Sequence, residues 1–189
     1  MQNLKQQWKS VLGTTVFLLV VCAIVTLAVA GTYVGTAERI AEQEAIRLSA
    51  SMGRLIEADR YEVIKYDAMG VPQVYRATME DGTVEGHLIL TGGRGYGGTV
   101  YVMTGIVDGV VVGVEIVGAA GETPGLGLNI MQEGFRGQFA GIDGPPELIR
   151  GGVPVPGSNQ IQSLAGATVS VYAVVVAVAD ALAIYGGLR

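Results

Sequence analysis

Residues 99–116 read TVYVMTGIVDGVVVGVEI. Two runs rich in Val, Ile, Thr and Tyr, at 99–106 and 110–116, flank Asp108-Gly109, a pair that tolerates the positive φ of a tight hairpin. Branched and aromatic side chains suit a pleated surface, so the stretch predicts two antiparallel strands. Working upstream, 61–66, 74–79 and 83–90 have the same composition, and Asp81-Gly82 supplies a second hairpin turn. Working downstream, a short amphipathic helix is expected at 130–139. A loop carrying Pro145, Pro146, Pro154 and Pro156 follows, with one edge strand near 148–149. The chain closes with GATVSVYAVVVAVADALAIYGG at 166–187, where Val171, Val174, Val175, Val178 and Leu182 recur at helical spacing before Gly186-Gly187. That run is shorter than the roughly 20 residues a membrane span needs and contains Asp180, so it reads as a helix buried against the sheet. The fold class is α+β, a mostly antiparallel sheet with packed helices.

The N-terminus follows different physics. Residues 11–30, VLGTTVFLLVVCAIVTLAVA, contain no charge and no proline. Twenty helical residues span about 30 Å, the thickness of a bilayer's hydrocarbon core. Thr14, Thr15 and Thr26 can return their hydroxyls to the preceding turn. Lys5 and Lys9 precede the run, while all 17 carboxylates follow it, so positive charge stays cytoplasmic and the remainder faces outward. Ala28-Val29-Ala30 also resembles a signal-peptidase site, but the apolar run exceeds the usual signal core. The expected organisation is a cytoplasmic N-terminus (1–10), a single transmembrane anchor (11–30), a helical stalk (31–60) and an extracytoplasmic domain (61–189).

Composition excludes several chemistries. Cys22 is the one cysteine and lies in the anchor, so no intrachain disulfide or thiolate cluster can form. His87 is the one histidine, which argues against triad hydrolysis. The formal net charge of -5 repels nucleic acid. No metal site is expected. A redox centre here would have to be an organic cofactor.

Three glycine clusters remain. Gly92-Gly93-Arg94-Gly95-Tyr96-Gly97-Gly98 reads as a turn between strands, or as a place where backbone amides approach a flat ligand beside the Tyr96 ring. Glu122-Thr123-Pro124-Gly125-Leu126-Gly127 is a rigid loop by ordinary turn rules. It also fixes a carboxylate, a hydroxyl and an apolar side chain, the ingredients of a pocket. Gly166-Ala167-Thr168-Val169-Ser170 opens the last helix. Thr168 there is an N-cap or, beside the uncapped amides of a helix start, a point of attachment for an anion.

Taken in order, GYGG at 95–98, VDG at 107–109, ETPGLG at 122–127, Phe135, Gln138-Phe139, Arg150-Gly151-Gly152 and GATVS at 166–170 resemble one family. It is the FMN-binding domain of the G subunits of Rnf electron-transport complexes, shared with the C subunits of the sodium-pumping NADH:quinone reductase. The resemblance implies FMN joined through its phosphate to Thr168 by a separate flavin transferase. It further implies that Gly166, Ala167, Val169, Ser170, Glu122, Thr123, Leu126, Gly127 and Arg150 surround it, Ser170 toward the phosphate and Arg150 at a lysine position. Gln162 and Ala165 depart from the family's usual acid and hydroxyl residues ahead of the attachment motif, and Ala120 stands near a usual histidine. The resemblance implies an electron-relay role, not catalytic alone, in a membrane ion-translocating ferredoxin:NAD+ oxidoreductase. Its partners would be other membrane and iron–sulfur subunits. The alternatives are a place in the quinone reductase, a cofactor-free structural role in the complex, and a free-standing flavoprotein serving an extracellular electron route.

Overall fold

The computed structural model describes residues 2–66 and 72–188, and the chain divides into two units, Met1–Ile46 and Arg47–Arg189. Helix α1 runs over Gln2–Leu55. Within the first unit, Val11–Ala37 is long and apolar enough to cross a membrane. Hydroxyls along it bond back to the preceding turn: Thr15 donates to the Val11 carbonyl at 2.9 Å, and Thr32 to the Ala28 carbonyl at 2.8 Å. Such back-bonding removes the cost of carrying a hydroxyl into lipid. The side chains of residues 1–10, on which the orientation reading rests, lie outside the described ones.

The second unit is built on a five-stranded antiparallel meander, β1 (Arg60–Tyr66), β2 (Pro72–Thr78), β3 (Val84–Arg94), β4 (Thr99–Val107) and β5 (Val110–Gly118), paired in chain order. Both predicted turns form. Gly82 has φ +84°, and Asp108 and Gly109 have φ +52° and +90°. The two positive values in succession match the primed hairpin turn that suits strand twist.

The sheet is buried on both faces. Val74, Ile89, Val102, Ile106 and Val114 face helix α3 (Thr168–Gly186), meeting Val171, Val174, Ala177 and Val178. The alternate residues Tyr75, Leu88 and Met103 face Met52 and Ile56, at and just beyond the end of α1. Each fully buried aliphatic side chain contributes about 1.5–3 kcal/mol. The sequence reading starts the domain at residue 61, whereas the compact unit begins at Arg47, because the second face needs the last turns of α1 as its cover.

Helix α3 packs on β3 and β4. A Cβ at Gly93 would lie 1.9 Å from the Ala173 carbonyl oxygen, so only glycine lets the helix approach this closely. Thr91 donates to the Ala177 carbonyl at 2.8 Å, bonding strand to helix. One expectation changes and another is met. The helix expected at 130–139 is instead a 3-10 turn (Gly127–Met131), a short α2 (Glu133–Arg136) and another 3-10 turn (Gly137–Phe139). Each break lets one buried side chain (Ile130, Phe135 or Phe139) point inward. The edge strand near 148–149 is real: β6 (Glu147–Ile149) pairs in parallel with β7 (Gln160–Gln162), a strand too short to be read from sequence.

Candidate functional site

The three glycine clusters meet at one end of the sheet. Gly92, Gly93 and Arg94 continue β3, and the turn itself is residues 95–98, closed by Gly95 N–H donating to the Gly98 carbonyl at 2.8 Å. The loop that opens at Glu122 holds its own shape. The amides of Leu126 and Leu128 both donate to the Thr123 carbonyl, at 3.2 and 3.1 Å, and Asn129 Nδ2 donates to the Gly125 carbonyl at 3.0 Å. Gly125 takes φ +76°, as a turn following proline requires.

Glu122 joins the clusters. Only 4% of it is exposed. Its Oε1 accepts from the amides of Tyr96 at 2.7 Å and Gly97 at 3.4 Å, and its Oε2 accepts from the hydroxyl of Ser170. The glycines make room for this carboxylate. A Cβ at Gly95 would lie 2.2 Å from Oε1, and one at Gly127 would lie 2.3 Å from Oε2. The turn and the loop also touch backbone to backbone, since a Cβ at Gly97 would lie 1.8 Å from the Gly121 carbonyl oxygen. A buried carboxylate needs hydrogen-bond donors, and here they come from the other two motifs.

Around this junction lies a cleft of about 380 Å³ lined by Glu122, Thr123, Leu126, Gly127, Gly166, Ala167, Thr168, Val169 and Ser170, with Tyr96 completing the wall. Nine of the ten residues singled out from sequence are therefore brought together. Arg150 is not; it is exposed beyond β6 and outside the lining of the cleft. Thr168 is not the N-cap. Ala167 occupies that position with φ -122°, and Thr168 is the first helical residue, exposed, with no side-chain hydrogen bond among the described residues. Ser170, read as a phosphate contact, is 2% exposed and gives its hydroxyl to Glu122. Tyr96, 79% exposed, enters the cleft because the turn folds back over the loop, a contact that sequence spacing does not encode.

A flavin mononucleotide carries a planar apolar ring system at one end and a phosphate at the other, and the cleft offers a counterpart to each. The half-exposed side chains of Leu126 and Val169 and the ring of Tyr96 give an apolar wall. No side chain caps α3, so its first amides, beside the Thr168 hydroxyl, are free to meet an anion. The volume falls in the roughly 300–1,000 Å³ range of small-ligand sites. The residues present fit the group.

Comparison with known proteins agrees. The pattern of the FMN-binding domain matches residues 95–183, and that of the RnfG N-terminal region matches residues 1–54. The G subunit of the Na(+)-translocating ferredoxin:NAD(+) oxidoreductase complex of Acetobacterium woodii is 32% identical, over 99% of this chain and 97% of that protein. The G subunit of the proton-translocating ferredoxin:NAD(+) oxidoreductase complex of Clostridium ljungdahlii is 27% identical, over 92% and 90%. Among solved structures, NqrC of Shewanella oneidensis superposes with a TM-score of 0.50 at 21% identity, covering 58% of this chain and 54% of that one. The C subunit of the Na(+)-translocating NADH-quinone reductase of Parabacteroides distasonis gives 0.50 at 22% identity, covering 59% of each. These two likenesses establish the fold. By its full-length similarity and its matched regions, the chain belongs to the RnfG family, the G subunits of Rnf-type ferredoxin:NAD(+) oxidoreductase complexes, and carries an FMN-binding domain.

Proposed function

We propose that this chain is the electron-relay subunit of an Rnf-type membrane complex and that it holds FMN through a phosphoester to the Thr168 hydroxyl. The observation that carries the site assignment is the placement of Thr168: exposed, at the uncapped start of α3, in the wall of the same cleft as the Glu122–Gly127 loop. When bound, the flavin supplies the electron-accepting and electron-donating chemistry. The protein's part is to hold and orient it. Leu126, Val169 and Tyr96 form the apolar wall that would hold the ring system, and the first amides of α3 would hold the phosphate. The Glu122 junction fixes the wall so that the ring position does not wander. A hydroxyl without a nearby base does not form a phosphoester unaided, so attachment falls to a separate flavin transferase. Lys5 and Lys9 before the apolar helix, against the acids after it, favour a cytoplasmic N-terminus and an outward-facing domain with one span.

The test compares the intact mass of the denatured protein and its in-gel flavin fluorescence with those of Thr168→Ala. The wild type should carry one FMN that survives denaturation and the variant none. A wild-type mass equal to the bare chain overturns the covalent assignment. Visible flavin absorbance missing from light-protected complex as well would overturn the relay role and leave a structural one.

A further inference from the structure

A second cavity, of about 330 Å³, lies on the sheet face covered by the end of α1, and Arg47, Arg54, Arg136 and Glu115 all line it. Glu115 is largely buried; its Oε2 lies 3.2 Å from Arg54 Nη2, and its Oε1 pairs with Arg136 Nη1. Arg136 is fixed again by Nε donating to the Met131 carbonyl at 2.9 Å, and Arg54 by a 3.3 Å bond to Ser51 Oγ. The Arg47 side chain has no ion pair or hydrogen bond among the described residues. Three arginines thus line a cavity that holds one carboxylate, which pairs with two of them, leaving two positive charges uncompensated among the lining residues.

That excess stands out in a chain with 17 acidic and 12 basic residues. Guanidinium groups gathered beside a partly desolvated wall repel each other unless an anion joins them. Glu115 holds two of them in place, so their remaining N–H groups are pre-aimed, and the planar fork matches a carboxylate bidentately. The cavity is not purely polar: Ile116 and Met131 line it as well. An apolar surface beside paired guanidiniums suits a peptide carrying acidic side chains better than a bare inorganic anion.

We propose that this cavity docks an acidic segment, bearing two or more Asp or Glu side chains, of another subunit of the same complex. The site is separate from the FMN cleft and rests only on the chain's being one subunit of several. In an otherwise acidic domain it directs an acidic partner to one place, since that partner is repelled elsewhere.

The experiment uses the intact complex, captured through a tag on this chain and washed with rising NaCl. In Arg47→Glu the other subunits should dissociate at roughly threefold lower salt, because the interaction is between charges screened at about 10 Å in 0.1 M salt. Arg47→Lys keeps the charge but loses the planar fork and should fall between Arg47→Glu and wild type. Arg60→Glu, which alters an exposed arginine of β1 that pairs with Glu62, should behave as wild type. A photo-crosslinking residue in place of Val117, which lines the cavity, should yield an adduct within an Asp- or Glu-rich stretch of one subunit. Unchanged flavin content in each variant shows that it is folded and separates this result from any failure of the flavin assignment. Wild-type salt resistance of Arg47→Glu overturns the proposal, as does an adduct with lipid or with a segment lacking acidic residues.

Discussion

The hydroxyl of Ser170, in the first turn of α3, donates to the carboxylate of Glu122, 48 residues earlier in the chain. With the Tyr96 and Gly97 amides on the other carboxylate oxygen, one side chain holds together the β3–β4 turn, the Glu122–Gly127 loop and the helix start. By this geometry Glu122 bonds to the protein's own groups and shapes the cleft proposed for FMN. Its removal should be felt as a loss of shape. Glu122→Ala strands two amides and a hydroxyl, and is expected to cost at least about 2 kcal/mol and most of the bound flavin. Glu122→Gln can still accept from the amides and should lose less than half as much of either. Denaturant unfolding and visible flavin absorbance of the purified proteins check both, and equal losses in the two variants would contradict a clasp that depends on shape.

Thr168→Ala should leave the fold intact. The hydroxyl is exposed and bonded to no described residue, and alanine is well tolerated at a first helical position, so stability should stay within about 0.5 kcal/mol. A melting curve matching that of the flavin-free wild type, together with loss of covalent flavin, is the expected pairing.

Two glycines separate crowding from conformation. Gly97→Ala places a Cβ 1.8 Å from backbone that cannot swing aside, and should cost about 3 kcal/mol, the upper end of overpacking penalties. Gly125→Ala meets nothing within 4 Å but must hold φ +76°, which should cost only about 1 kcal/mol. Paired denaturation curves read the difference, and reversed sizes would mean that the turn and the loop are not in backbone contact.

Thr104, in the middle of β4, is fully buried, and its hydroxyl has no hydrogen-bond partner among the described residues. Valine has nearly the same shape without the orphaned oxygen. Thr104→Val is expected to stabilise the domain by about 1 kcal/mol, visible as an increased Tm. A lower Tm would show that the hydroxyl is satisfied in solution.

His87 faces Tyr185 edge-on, with ring centroids 5.5 Å apart. Burial, and then the nearby Arg76 charge, lower its pKa below the usual 6.5. The unfolded chain therefore binds this proton more readily than the folded one. Its contribution favours the fold fully above pH 6.5 and declines as pH falls through that value, levelling off below the folded pKa. His87→Gln should flatten the stability–pH curve in that window. An imidazole that titrates by NMR at or above pH 6.5 would refute the assignment.

Features that depend on neighbouring residues alone were legible along the chain. Asp108-Gly109 specified a hairpin through two positive φ angles, and β-branched runs specified five strands. The uncharged run from Val11 specified a helix able to cross a membrane, and ETPGLG followed by GATVS pointed to the family. The spacing of Val171, Val174 and Val178 gave α3 its buried stripe.

Features that depend on distant groups meeting came only with the folded chain. Residues 130–139 are broken into turns because Ile130, Phe135 and Phe139 must each reach the core, which overrides the helical period. Ala167, not Thr168, occupies the N-cap position of α3, so the threonine hydroxyl bonds to no described residue and lines the cleft. Arg150 stands outside it, while Tyr96 comes in from a turn far away in sequence. Glu122 and Ser170 bond to each other across 48 residues of chain, because which donors reach a carboxylate depends on what the fold brings within hydrogen-bond distance.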